Sequence, residues 1–162
     1  MPGAAMRICR THTPPVWQGH IRAAEAIGGI YFWGQGVARD YPQAMAAYKV
    51  GAEGGDAKCQ HQLGIMYYLG QGVAVHYEQA RLWLEKAAAQ NYTIAVGQLA
   101  TMYHLGKGVT PSWRRARELY KRAIELGLSE AVQNMQNLTK SIANVTRSAK
   151  PPHPAQIHSH TR

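Results

Sequence analysis

Few residues in this chain are of types that do chemistry, and their spacing decides what they can do. Cys9 and Cys59 do not form the paired spacing that holds zinc. His61 and His104 have no carboxylate and nucleophile close by in sequence that would complete a triad. A second histidine set, His153, His158 and His160, lies among Pro151, Pro152 and Pro154, where no packed scaffold would hold the rings around a metal. Gly-x-Gly pairs recur, but they join two helical segments rather than a strand to a helix, so they are not phosphate or dinucleotide cradles. No paired-acid motif appears. Three Asn-x-Thr triplets, at Asn91, Asn137 and Asn144, are chance matches in a chain with no apolar signal region. These residues predict no catalytic, cofactor or metal site, and a protein that is not an enzyme.

Charge is the remaining chemistry. The formal net charge is +9. Arg7, Arg10, Arg147, Lys150 and Arg162 near the two ends supply five of these, leaving four for the body of the chain. There the cations concentrate at Arg114, Arg115, Arg117, Lys121 and Arg122, which share one broad helix face at about 100° per residue, while Ala116, Leu119, Tyr120 and Ala123 face the other way. Such a basic face suits phosphates or an acidic protein surface. The competing reading is a solvated outer face. No aromatic side chains interleave the stripe, which counts against single-stranded nucleic acid.

The elements that would position these residues form an internal repeat. Gly70-Gln71-Gly72-Val73 has counterparts 36 residues to either side, Gly34-Gln35-Gly36-Val37 and Gly106-Lys107-Gly108-Val109. Aligned as units 20–55, 56–91 and 92–127, the chain keeps Tyr31, Tyr67 and Tyr103, both glycines, Val37, Val73 and Val109, and Ala44, Ala80 and Ala116. Other columns keep only their chemistry, as with Tyr48, Leu84 and Tyr120. Self-similarity at this period marks a stacked helical array. The first glycine follows helices that end at Trp33, Leu69 and Leu105 and tolerates positive φ; the second lets the chain reverse. Asp40 and Ser112 are expected N-caps, with a weaker cap at His76. The invariant alanine suits a close helix approach. Helices are predicted near 20–33, from Asp40 to Gly54-Gly55, and over 57–69, 76–90, 93–105 and 111–126. Gly28-Gly29 within the first costs on the order of 1 kcal/mol each relative to alanine and predicts fraying.

The run Asp56-Ala57-Lys58-Cys59-Gln60, then Leu63 to Tyr68, Gly70 to Val73, Tyr77 to Ala80 and Trp83 to Ala88 resembles the Sel-1-like repeat, a helical hairpin related in shape to the tetratricopeptide repeat. The resemblance covers roughly three quarters of the chain, three times in register. It implies an all-α fold, an α-solenoid of stacked antiparallel helical hairpins. A capping helix over 128–145 follows, with Gln133, Asn134, Gln136 and Asn137 on its wet side. Residues 1–19 are expected to be a flexible leader carrying Trp17, and 146–162 a disordered tail. One cysteine-rich bacterial branch of the family, linked to penicillin binding, staples its hairpins with disulfides; the paired cysteine columns are lacking here.

The same resemblance implies a non-enzymatic adaptor or scaffold that meets a protein or peptide partner on the inner face. That face is built by the first helix of each hairpin, so its expected contacts are Gln60, His61, Gln62, Ile65, Gln98, Thr101 and His104. The alternative is an electrostatic binder of nucleic acid or acidic proteins through the basic face. No apolar run reaches the roughly 18 residues of a membrane span. With no signal region and a lone small thiol at Cys59, a cytoplasmic or other intracellular location is expected. The sequence leaves the oligomeric state open, and with it whether the chain belongs to a longer repeat protein.

Overall fold

The computed structural model describes residues 21–148. The expected leader, with Cys9 and Trp17, and the terminal prolines and histidines lie outside the described residues.

The described residues form seven α-helices and no strand: α1 (Ile21–Trp33), α2 (Tyr41–Glu53), α3 (Ala57–Leu69), α4 (Tyr77–Ala89), α5 (Thr93–Leu105), α6 (Trp113–Glu125) and α7 (Glu130–Ser148). The first six pair as hairpins α1–α2, α3–α4 and α5–α6, stacked in chain order, and α7 closes the stack against α6. The array is therefore an α-solenoid of helical hairpins, with α3 and α5 bounded as the periodicity predicts.

The turns explain the boundaries. Gly34, Gly70 and Gly106 all adopt positive φ, 70°, 73° and 69°. After the turn, Asp40 Oδ1 accepts from the Gln43 N–H at 2.9 Å, His76 Nδ1 from the Gln79 N–H at 3.3 Å and Ser112 Oγ from the Arg115 N–H at 3.3 Å. The histidine cap is longer than the aspartate cap and equal in length to the serine cap. The backbone N–H of each cap residue also donates to the carbonyl of the invariant tyrosine, Asp40 to Tyr31, His76 to Tyr67 and Ser112 to Tyr103, at 2.9–3.0 Å. Each turn is closed at both ends by the repeat's own residues.

The second glycine does more than reverse its turn. A Cβ built on Gly72 would stand 2.9 Å from the backbone carbonyl carbon of Tyr41, and one on Gly108 2.6 Å from that of Tyr77. Gly36 has the same backbone, φ 74°, but nothing within 4 Å, because no hairpin among the described residues precedes it. This column is where the turn of one hairpin rests on the start of the second helix of the hairpin before.

Two expectations are corrected. Helix α1 runs unbroken through Gly28-Gly29, because Gly28 is a packing site: a Cβ there would lie 2.5 Å from the Tyr48 ring. Helix α7 continues to Ser148, past the expected end at 145. The Thr139, Ser141 and Thr146 hydroxyls donate to carbonyls one turn back, and no proline interrupts the helix over this span. Its Ala131 and Leu138 are buried on the array, while Gln133, Gln136 and Asn137 face solvent.

The core follows the repeat columns. Ala44, Ala80 and Ala116 are each fully buried, as are Tyr48, Leu84 and Tyr120 beside them.

A consequence can be measured. Gly36→Ala should cost only the left-handed backbone penalty, about 1–2 kcal/mol. Gly72→Ala and Gly108→Ala should add an overpacking cost of about 1–3 kcal/mol more. Urea denaturation of the three variants checks this; equal losses would mean that the second glycine serves only its own turn.

Candidate functional site

A cleft of about 240 Å³ opens between hairpins α3–α4 and α5–α6. Ile65, Tyr68 and Leu69 of α3 form one wall, Gln98, Thr101 and Met102 of α5 the other, and Leu84 of α4 the floor. Helices α1 and α3 touch, as do α5 and α7. The floor is low because of one residue. In the neighbouring hairpins the Leu84 column is tyrosine: Tyr48 packs on Gly28, and the Tyr120 hydroxyl lies 3.0 Å from Thr101 Oγ1.

The lining is apolar apart from Gln98 and Thr101. Thr101 Oγ1 donates to the Gly97 carbonyl at 3.1 Å and pairs with Tyr120, so its hydroxyl is committed to the fold. Gln98 Oε1 is closed off from solvent, and the amide meets the buried His61 ring. Neither Gln98 nor Thr101 is an acid, a base or an activated nucleophile. Among the described residues, no three His, Cys, Asp or Glu side chains cluster as metal ligands. Cys59 is a free, buried thiol, raised above the ordinary range by burial first and by its hydrogen bond with Asp56 second, so it is not a thiolate at neutral pH.

The seven expected contact residues separate into three groups. Ile65, Gln98 and Thr101 come together in the cleft. Gln62 and His104 are half-buried elsewhere on the first helices; Gln62 reaches the Tyr48 hydroxyl, and the His104 ring stands edge-on to Tyr120 at 6.5 Å. Gln60 and His61 are corrected, being only 5 % and 8 % exposed. Gln60 serves the fold: its Nε2 donates to the Ala52 carbonyl at the end of α2, and its Oε1 accepts from Gln90 Nε2, at 3.1 and 2.9 Å. His61 packs against Tyr92, ring centroids 5.1 Å apart, and meets the Gln98 side chain. Tyr68, Leu69, Leu84 and Met102 were missed. Leucine at 84 in an otherwise tyrosine column was the available signal.

On α6 the basic residues are largely engaged. Arg114 and Arg115 share Glu118 at 3.3 and 3.4 Å, and Lys121 faces Glu125 at 4.0 Å. Arg122 donates to the Ala88 carbonyl and to Asn91 Oδ1, both at 2.7 Å, and so ties the end of α4 to α6. Arg117 is exposed and has no ion pair among the described residues. Exposed pairs such as these contribute roughly 0–1 kcal/mol each.

The Sel1 repeat family model matches residues 21–56, 57–92 and 94–128, the three hairpins just described. The chain belongs to the Sel1 repeat family. Its fold is similar to that of a Sel1 repeat protein from Oxalobacter formigenes, at 32 % identity and a TM-score of 0.70, over 76 % of this chain and 51 % of that one. It is also similar to c5321, a protective antigen of uropathogenic Escherichia coli with an SLR fold, at 37 % identity and a TM-score of 0.67, over 68 % of this chain and 24 % of that one. The Sel1 repeat chain thus spans about half the length of the first of these proteins and a quarter of the second. Cysteine rich protein B of Helicobacter pylori matches at 18 % identity and a TM-score of 0.59, over 76 % of this chain and 97 % of that one, and shares the fold alone. No curated protein matches the chain in sequence. Among the described residues no helix is long and apolar enough to cross a membrane.

The buried histidine of this Sel1 repeat array sets a pH dependence. Desolvation lowers the His61 pKa, and the nearby Gln98 amide opposes it less strongly. The folded pKa therefore lies below the unfolded value of about 6.5, so the unfolded chain takes up the extra proton first as pH falls. The contribution of His61 to stability is therefore constant above about pH 6.5 and declines below it, by at most about 1.4 kcal/mol per pH unit, until the folded pKa is reached. His61→Gln should flatten this acid limb in urea titrations between about pH 7 and pH 5. An unaltered limb would show that the ring protonates freely in the fold.

Proposed function

We propose that this Sel1 repeat chain is a non-enzymatic interaction module, an adaptor or scaffold whose first-helix face receives a segment of a partner protein. The observation that carries this reading is the cleft between α3 and α5, an apolar recess with the Gln98 amide in its wall. Small, largely preformed apolar recesses with few polar groups are the usual form of a binding site. A second feature lies along the same helices. Trp33, Leu69 and Leu105, the last residues of α1, α3 and α5, are 60 %, 55 % and 55 % exposed. Three large apolar side chains are thus left in solvent at one repeat column, and one of them, Leu69, also lines the cleft.

The non-enzymatic part of the reading is supported by the site's chemistry, since Gln98 and Thr101 offer hydrogen bonds but no proton transfer or nucleophile. The buried, unpaired Cys59 fits a reducing compartment. Nucleic-acid binding through α6 is disfavoured by Glu118 and Glu125, which neutralise much of the stripe, and by the structural use of Arg122.

Affinity capture from lysate separates the two surfaces. Wild type, Ile65→Glu with Leu69→Glu, and Arg114→Glu with Arg117→Glu and Lys121→Glu would each be washed at low and high salt. The module reading predicts discrete proteins that survive high salt, persist with the α6 variant and vanish with the α3 variant. Binding lost to salt or to the α6 reversal, and kept by the α3 variant, would transfer the function to the basic face.

A further inference from the structure

The repeat supplies an internal comparison that identifies what the cleft lacks. Tyr48, Leu84 and Tyr120 occupy one column. In the first hairpin the Tyr48 ring lies over Gly28, and its hydroxyl meets the amide of Gln62 on the next helix pair. Gln62 and Gln98 also occupy one column, and so do Gly28 and Gly64. The second hairpin thus retains the glycine that admits a ring, and α5 of the third retains the glutamine that would meet its hydroxyl, but leucine stands where the phenol would start. A Cβ on Gly64 would lie 2.9 Å from the Leu84 Cγ, so the glycine still receives the side chain of this column. The outcome is the recess of about 240 Å³ bounded by Leu84, Ile65, Met102 and the Gln98 amide. The Gln98 side chain lines this recess, while its Oε1 is closed off from solvent and the amide meets the His61 ring behind the wall.

We infer that this cleft is a receptor for a phenolic side chain, and that its occupant is a tyrosine of the partner polypeptide, docked where the array's own tyrosine is missing. The inference rests on the module reading above and names the group that the recess takes. Size agrees: a dry apolar cavity of about 150 Å³ holds benzene, so the recess accommodates one ring and the first atoms of its backbone. Chemistry agrees as well. The walls are aliphatic, sulfur-bearing and aromatic, and methionine contacts with a ring edge are favourable. Gln98 stands in the column where a phenolic hydroxyl is met in the neighbouring hairpin, and the Thr101 hydroxyl is already committed to Gly97 and Tyr120. An aliphatic side chain would fill the recess without using the Gln98 column, and a charged one would be desolvated against apolar walls.

Binding of 4-ethylphenol and of ethylbenzene to the full chain, followed through the methyl resonances of Ile65, Leu84 and Met102, tests this. Wild type should bind 4-ethylphenol saturably with shifts at those methyls. Leu84→Tyr restores the array's own phenol and should weaken binding of both probes at least about tenfold. Gln98→Leu should weaken 4-ethylphenol about fivefold and leave ethylbenzene undiminished. Should Leu84→Tyr fail to fold, Ile65→Phe closes the recess from α3 and carries the same expectation. No saturable binding by wild type, undiminished binding by the filled variant, or equal weakening of both probes by Gln98→Leu would each overturn the proposal. A chain that captures its partner through α3 yet ignores 4-ethylphenol would sink the phenol site and leave the module reading standing.

Discussion

The array depends on one close approach, the turn of each hairpin resting on the backbone of the hairpin before it. Gly72 meets Tyr41 and Gly108 meets Tyr77 at distances that leave no room for a Cβ. Backbone contact of this kind fixes the pitch of the stack, because backbone cannot rotate aside as a side chain does. Everything lateral to it then follows in register. Ala44, Ala80 and Ala116 are buried, and Gly51, Ala87 and Ala123 form one repeat column and Cys59, Ala95 and Ala131 another. The one large member of the second series, Cys59, meets the smallest member of the first: a Cβ on Gly51 would collide with its thiol. Volume is conserved across the pair, which is how an irregular sequence keeps a regular stack.

The same spacing determines how helix ends are satisfied. Ala52 and Ala88 occupy one column near the ends of α2 and α4, and both carbonyls accept from a side chain of a neighbouring hairpin. Gln60 donates to the first and Arg122 to the second. Two residues of different type and column do one job because each hairpin end must be closed by whatever its neighbour presents. Residues that would serve as ligand contacts on an isolated helix are thereby drawn into the fold, and the cleft is left to Ile65, Gln98 and Met102.

Much of this was legible in the sequence, and the reasons for the rest are physical. Turn glycines, caps and alanine columns act locally, so residue type and spacing were sufficient to place α3 and α5. Periodicity identifies which face of a helix turns inward but not how deeply a polar side chain sinks, and that depends on carbonyls from other helices. Gln60 and His61 therefore pointed to a surface that they do not reach. Gly28 read as a weakness of α1, since the ring it accommodates belongs to α2. Leu84 was visible as the odd residue in its column, yet a missing phenol becomes a recess only when α3 and α5 stand on either side of it.

Function in this picture requires the recess to exist before the partner arrives, which requires hairpins α3–α4 and α5–α6 to open and close as one body. Native-state hydrogen exchange under rising sub-denaturing urea tests that coupling directly. If the glycine-to-backbone contacts bind the stack together, the slowest amides of α2, α3, α4 and α5 converge on a single opening free energy and a single urea dependence. Separate openings for the three hairpins, each with its own urea dependence, would contradict the account, because the cleft would then lie between bodies that part independently.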